Sequence, residues 1–319
     1  IAMNVKKCIV ILGIVAIFTY ILFRTSRRVK LKMKYFFKRH TTSKQMQLLN
    51  MHETNIAEFN STSRELSVIT YSLYGNSERY LDGALENADL ATKYYPTWQM
   101  RIYHDHSVPK SILDELKKKK VRLIQVDDNI LINSNKMNWK LAVASDPQVD
   151  RFILRDIDSR LGMRERVAVE EWIRSKKKFH VMRDHPNHDH DPISGGMWGA
   201  IQGAIPNLVM SKLKDNKNNA FWADMTWLSK EVWPIAQTSL IQHDSFSCLR
   251  YKGAMPFPIK RVGVEHVGGV VLKGKLRQND VNDLLKAKQP KDCKDRNDIE
   301  LIHLVNKHLK KFKQKIIPN

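Results

Sequence analysis

The chain of 319 residues is 42% hydrophobic and 8% aromatic, a composition that suits one large folded domain or two small ones and excludes a wholly disordered polypeptide. Its formal net charge of +21 is unevenly spread, since residues 1–64 hold 12 Lys and Arg against 2 Asp and Glu, while residues 65–319 hold 42 against 31. No recognisable nucleic-acid module accompanies that charge, so it fits anionic diphosphates or membrane lipids and argues against nucleic acid as a partner.

In chain order, Lys6 and Lys7 precede sixteen largely apolar residues, 8–23, which Arg24, Arg27 and Arg28 follow at once. A helix over that stretch is roughly 24 Å long at about 1.5 Å per residue, short for a plasma membrane and adequate for a thinner bilayer. No small-residue cleavage site follows Phe23, which favours a transmembrane signal-anchor over a cleaved signal peptide or a buried helix, with residues 1–7 as a short tail. The basic flank points to a cytoplasmic downstream side. The sequon Asn60-Ser61-Thr62 has meaning only if that side is lumenal. Cys248 and Cys293, the only cysteines beyond the apolar segment, either pair in an oxidising lumen or remain two buried thiols.

Residues 24–64 turn from basic to polar without a strand period and read as a stem. From Glu65 the pattern changes. Leu66 to Tyr71 predicts a strand, Tyr80 to Tyr95 a helix with Leu81, Ala84, Leu85, Ala88 and Ala91 at helical spacing, and Trp98 to Tyr103 a second strand. Ser111 to Lys120 predicts a helix, Val121 to Val126 a third strand, Trp139 to Ala144 a helix, and Phe152 to Leu154 a fourth strand. This alternation predicts an α/β fold with a mostly parallel sheet flanked by helices on both faces.

The fourth strand runs directly into Asp156 and Asp158, one residue apart. At the C-terminal edge of such a sheet, where ligands bind, two hard oxygen donors suit a divalent cation bridging to a diphosphate. The phrases VDRFILRDIDSRLGMRERVAVEEWI, FHVMRDHPNHDHDPISGGMWGA, HDSFSC and PFPIKR surround that pair. Together they make residues 65–272 resemble the nucleotide-sugar glycosyltransferases of the GT-A (Rossmann-like) fold, a group distantly related to glycosyltransferase family eight. The resemblance implies a mostly parallel mixed sheet, a type II Golgi or ER topology with a lumenal catalytic domain, and a manganese or magnesium ion. It also implies a nucleotide-sugar donor, UDP-sugar favoured, and a glycan, protein or lipid acceptor.

By that resemblance Asp158 is the first metal ligand, and Asp156 binds the metal through water or contacts the donor ribose. His266 in GVEHVGG is the third-ligand candidate, with His243 as its rival. Arg155 and Arg160 hold phosphate, orient the carboxylates, or form ordinary ion pairs with Glu165 or Asp158. Thr70, Tyr71 and Tyr74 are expected to cradle base and ribose, Tyr71 by stacking or else packed in the core, with Lys140, Gly195 and Gly196 also on the donor. Paired glycines let backbone amides approach a ligand, and Trp198 beside them either faces a sugar ring or packs the core.

The run 183–190 carries three histidines in six residues. Without cysteines or a helical i, i+4 pair it lacks a structural zinc signature and reads as a substrate loop, with Arg183, Asp184 and His185 near the donor sugar. Asp224 contacts sugar hydroxyls or acts as acceptor base, whereas Met225 stands where the resemblance expects Gln. Residues 273–319 form a Lys-rich tail with a helix over 298–316 that packs on the domain or lies on an anionic membrane surface. Two other functions stay open: a nucleotidyltransferase of similar sheet topology, disfavoured by the lack of a Gly-rich loop at the first strand, and a membrane-tethered carbohydrate-binding protein with little catalysis.

Overall fold

The computed structural model describes residues 51–53, 65–126, 135–206 and 223–316. The expected signal-anchor 8–23, most of the stem and the sequon at Asn60 lie outside them. Among the described residues no helix is long and apolar enough to cross a membrane.

The first part of the sheet follows the expected order. Strands β2 (Ser67–Leu73), β3 (Gln99–His104), β4 (Arg122–Val126) and β5 (Arg151–Arg155) are parallel, joined by α1 (Glu78–Tyr94), α2 (Lys110–Lys118) and a 3₁₀ segment, Lys136–Ser145. The sequence predicts a helix over residues 139–144 there, and the structure winds 136–145 as the tighter 3₁₀ form with i to i+3 bonds. Helix α1 stops at Tyr94 because Pro96 cannot continue it.

Beyond α3 (Met163–Ser175) come β6 (Phe179–Arg183), β7 (Met197–Ile201), α4 (Ala223–Trp227) and a π turn, Leu228–Val232. There follow α5 (Trp233–Ala236), β8 (Leu240–Asp244) and β9 (Ala254–Met255). Pro234 lacks the amide that would donate back along the helix, which accounts for the widened turn before it. With β1 (Met51–Glu53) as its first strand, the sheet order among the described residues is β1-β4-β3-β2-β5-β7-β6-β8-β9, with β7 antiparallel to both β5 and β6. Strand β1 (Met51–Glu53), inside the segment read as stem, adds an antiparallel edge next to β4.

Side-chain alternation splits the core into two faces. Val68, Phe152 and Leu154 join Trp139, Trp198 and Trp227 on one face. Ile69, Tyr71, Leu73 and Ile153 join α1, Leu116 and Trp172 on the other. Burying each such Val, Ile or Leu contributes about 1.5–3 kcal/mol.

The tail is part of this unit, which spans residues 51–319. A small hairpin of β10 (Val271–Leu272) and β11 (Lys275–Leu276) turns through Lys273 and Gly274, both at positive φ as a tight two-residue hairpin turn requires. After α6 (Gln278–Lys286), Cys293 forms a disulfide with Cys248, so the two cysteines are paired. Helix α7 (Ile299–Ile316) buries Leu301 and Val305 against Val167 of α3, while Ile299 stays exposed. The tail is thus packed on the domain, as one of the two expectations for it held.

Candidate functional site

Strands β3 and β4 lie on one side of β2 and β5 on the other, so the winding reverses between β2 and β5. Crevices open at such switch points, beyond the C-terminal ends of the strands. A cleft of about 380 Å³ lies here, lined by Ser72 to Tyr74 at the end of β2 and Arg155 to Asp158 at the end of β5, together with Lys140, Gly195 and Asp224.

The two acids face the cleft because the residue between them does not. Ile157 is buried in the α1 face of the core, with Leu161 anchoring the loop's far end. The peptide oxygen of Asp156 accepts from Ser159 N at 3.1 Å and Ser159 Oγ at 2.8 Å, closing a turn. Asn87 on α1 clamps that turn: its Nδ2 donates to Ile157 O (3.2 Å) and Ser159 O (2.7 Å), and its Oδ1 accepts from Leu161 N (3.1 Å). Gly83 lets the helix approach, because a Cβ there would sit 2.1 Å from Ile157 O.

Each acid has a cationic neighbour. Lys140 Nζ lies 2.5 Å from Asp156 Oδ1, yet the Asp156 side chain is 54% exposed. Asp158 pairs with Arg79 of the first turn of α1. Burial, and then the charge of Asp156, push the Asp158 carboxyl above its ordinary range. Burial also raises Asp224, with Lys140 opposing and Asp156 reinforcing the shift. Gly195 and Gly196 are packed by carboxylates: a Cβ on Gly195 would lie 2.3 Å from Asp224 Oδ2, and one on Gly196 2.2 Å from Asp156 Oδ2.

Of the residues singled out in the sequence, Tyr74, Lys140, Arg155, Asp156, Asp158, Gly195 and Asp224 line the cleft, and Gly196 backs it. Thr70 does not: fully buried, it donates to Lys140 O at 3.1 Å and supports the 3₁₀ segment from below. Tyr71 is sealed in the α1 face and cannot stack on a base, so its core alternative holds. Tyr74 offers its ring instead, edge-on to Trp139 with centroids 5.8 Å apart. Arg155 is fixed by Glu165 (3.3 Å) and Trp198 O (3.2 Å), and Arg160 by Glu86 (2.5 Å). Trp198 packs in the core.

Arg183 and Asp184 lie away from the cleft. Arg183 is buried against Asp244 (2.6 Å) and over the Tyr251 ring (3.9 Å). The Asp184 carboxylate is filled by Arg164, Arg261, Ser245 and the Val267 amide. Neither can meet a sugar in this arrangement. His243 is buried between His180 (2.8 Å) and Glu171 (2.9 Å). His266 donates from Nδ1 to Val264 O (3.0 Å) and tilts against His185 (4.8 Å) without lining the cleft. Among the described residues no group of three or more His, Cys, Asp or Glu is arranged to hold a metal ion, so Asp156, Asp158 and His266 are not a preassembled ligand set.

His185 and His188 do line the cleft, as does His190. Burial and the neighbouring imidazoles of His185 and His266 hold the His188 ring down at about 3, so it is neutral near pH 7. Arg79, Gly83 and Asn87 escape the sequence-based expectations. One signal was present, because Asn87 interrupts the apolar stripe of α1 and a polar residue there calls for a partner.

Fold and site together define a doubly wound α/β protein with an acid-rich crevice at its switch point. No family model and no curated protein matches the chain. Among solved structures, a glycosyltransferase involved in the glycosylation of the major capsid of PBCV-1 is 14% identical with a TM-score of 0.36, over 56% of this chain and 81% of that one. Two S. aureus TarS structures, residues 1–349 and a longer form, are 13% and 12% identical with TM-scores of 0.30 and 0.29. Each alignment covers 37% of this chain, and 35% and 21% of the respective TarS chains.

Proposed function

We propose that the cleft transfers a sugar from a nucleoside-diphosphate donor to a hydroxyl acceptor with the help of a divalent metal. The observation that carries this reading is the meeting of Asp156, Asp158 and Asp224 with Lys140 and Arg79 in one crevice. The upward shifts of Asp158 and Asp224 come first from burial, with the charge of Asp156 adding to both, and a bound cation would offset them. Asp156 and Asp158 would hold a manganese or magnesium ion, and His266 is not required. The ion, when bound, neutralises charge gathering on the leaving phosphate.

The chain's own residues do the rest. Tyr74 presents an aromatic surface to the donor base, UDP-sugar being favoured. Lys140 and Arg79 turn from their carboxylates toward the diphosphate. The bond from the anomeric carbon to the β-phosphate oxygen breaks with its electron pair passing to phosphate. The acceptor oxygen then bonds to that carbon, and its proton passes to Asp224, a stronger base than an ordinary carboxylate because burial raises it. Met225, also lining the cleft, offers no amide to a hydroxyl and narrows donor choice. The Cys248–Cys293 disulfide favours an oxidising compartment, in keeping with a type II anchor over 8–23, a lumenal domain in the Golgi or ER, and a glycan, protein or lipid acceptor.

The test is release of nucleoside diphosphate from a panel of nucleotide sugars with and without Mn²⁺. Metal-dependent release is expected, falling about 100-fold or more in Asp158→Asn while the melting temperature holds. Pyrophosphate release would instead identify nucleotidyl transfer. Donor-induced thermal stabilisation without any release would identify a binding protein.

A further inference from the structure

Three imidazoles, His185, His188 and His266, stand with ring centroids 4.8–6.1 Å apart; His185 and His188 line the cleft, and His266 packs against them without reaching it. All three are linked to Asp184 through the backbone, although the His185 ring itself is held by Asp280 O (2.9 Å) and the Asn187 amide (3.1 Å). His185 follows it in the chain, and His188 accepts from the Asp184 amide through Nδ1 at 3.2 Å. His266 precedes Val267, whose amide donates to Asp184 Oδ2 at 2.9 Å.

Asp184 is in turn held from the tail. Arg164 donates to Asp184 (2.8 and 2.9 Å) and, with the same guanidinium, to Asp295 (2.8 and 3.0 Å). Arg261 donates from Nη2 to Asp184 Oδ1 (2.7 Å), and its amide donates to Asp295 Oδ2 (3.0 Å). Asp295 thus joins α3 to the 259–267 loop. The disulfide staples both ends of this strut: Cys293 lies two residues before Asp295, and Cys248 three residues after Ser245, whose hydroxyl donates to Asp184 Oδ1 at 2.6 Å.

We propose that Asp295 and the Cys248–Cys293 bridge are positioning elements of the cleft, setting the histidine wall through Arg164, Arg261 and Asp184. The tail after residue 272 is therefore part of the site's machinery. Only the kinetic arm of the test rests on the transferase reading.

The full chain is labelled with ¹⁵N-histidine and its ring resonances compared among wild type, Asp295→Asn, Asp295→Glu and a Cys248→Ala, Cys293→Ala double variant. The signals of His185, His188 and His266 are expected to shift in Asp295→Asn and in the double variant, while His104 on β3 does not move and Asp295→Glu recovers most of the wild-type pattern. In parallel, kcat/KM for the nucleotide sugar falls about tenfold in Asp295→Asn. Should Asp295→Asn fail to fold, the double variant decides alone. A lowered melting temperature with all three rings unmoved in a folded variant overturns the proposal. Shifted rings in a protein that turns over no donor uphold it and count against the transferase reading alone.

Discussion

The chain contains two Arg-Asp pairs that end strands of the same sheet, Arg155-Asp156 at the end of β5 and Arg183-Asp184 at the end of β6, with β7 between those strands. Their arginines behave alike: both are buried, each binding a carboxylate and a backbone carbonyl. Their aspartates diverge. Asp156 is half exposed and meets one lysine, whereas Asp184 is completely buried and accepts from five donors. Burial pushes Asp184 up, but Arg164 and Arg261 prevail and hold it at about 2, opposite to the upward shift of Asp158 in the cleft. A carboxylate whose lone pairs are filled by the protein is a strut. One left with an open oxygen in a crevice is available to a ligand.

Breaking the strut gives the largest expected effect. Asp184→Ala leaves Arg164 with Asp295 as its remaining carboxylate partner and strips the Arg261 guanidinium of its ion pair, and destabilisation of about 3–5 kcal/mol is expected in urea unfolding. The cleft side answers differently. Gly196→Ala would set a Cβ 2.2 Å from Asp156 Oδ2 and 2.8 Å from its amide nitrogen, so backbone must shift. A cost of about 1–3 kcal/mol is expected there, with activity lost well beyond what that destabilisation explains. A cost below 0.5 kcal/mol by the ~±0.5 kcal/mol surface standard would show the glycines are not forced by the acids.

The smallest effect has opposite signs at the two places. Asp184 is lowered from 3.8 to about 2, so its contribution is complete above the unfolded value and disappears as pH falls through about 2. That loss is about 2 kcal/mol, visible as a steeper acid branch in wild type than in Asp184→Asn. Asp158 is raised, so its folded form prefers the proton and its contribution is lost as pH rises through the folded value. Asp158→Asn is accordingly expected to unfold at the same temperature as wild type at pH 7, or slightly above it. A clear drop in melting temperature would show that Asp158 is a strut as well.

Local pattern sufficed where one stretch of chain carries the whole reason. The βαβ alternation from Leu66 to Leu154, the acids after β5 and the paired glycines were legible, because strand period, strand-end position and missing Cβ atoms are properties of short segments. The edge strand over 51–53 was not, since three residues carry no period and its register is set by β4. The structural role of Asp184 is not legible in the sequence for the same kind of reason. Its partners arrive from residues 164, 245, 261 and 267, none of them its sequence neighbours.

The amino-acid order alone therefore determined an α/β sheet and an acid pair at the tip of its fourth predicted strand. Only the tertiary structure decided which Arg-Asp pair opens to a cleft, which histidines form its wall, and that the tail belongs to the domain. Strand and helix periods are written within ten or so residues, whereas burial and charge pairing depend on segments as distant as Arg164 and Asp295 being brought within hydrogen-bond reach.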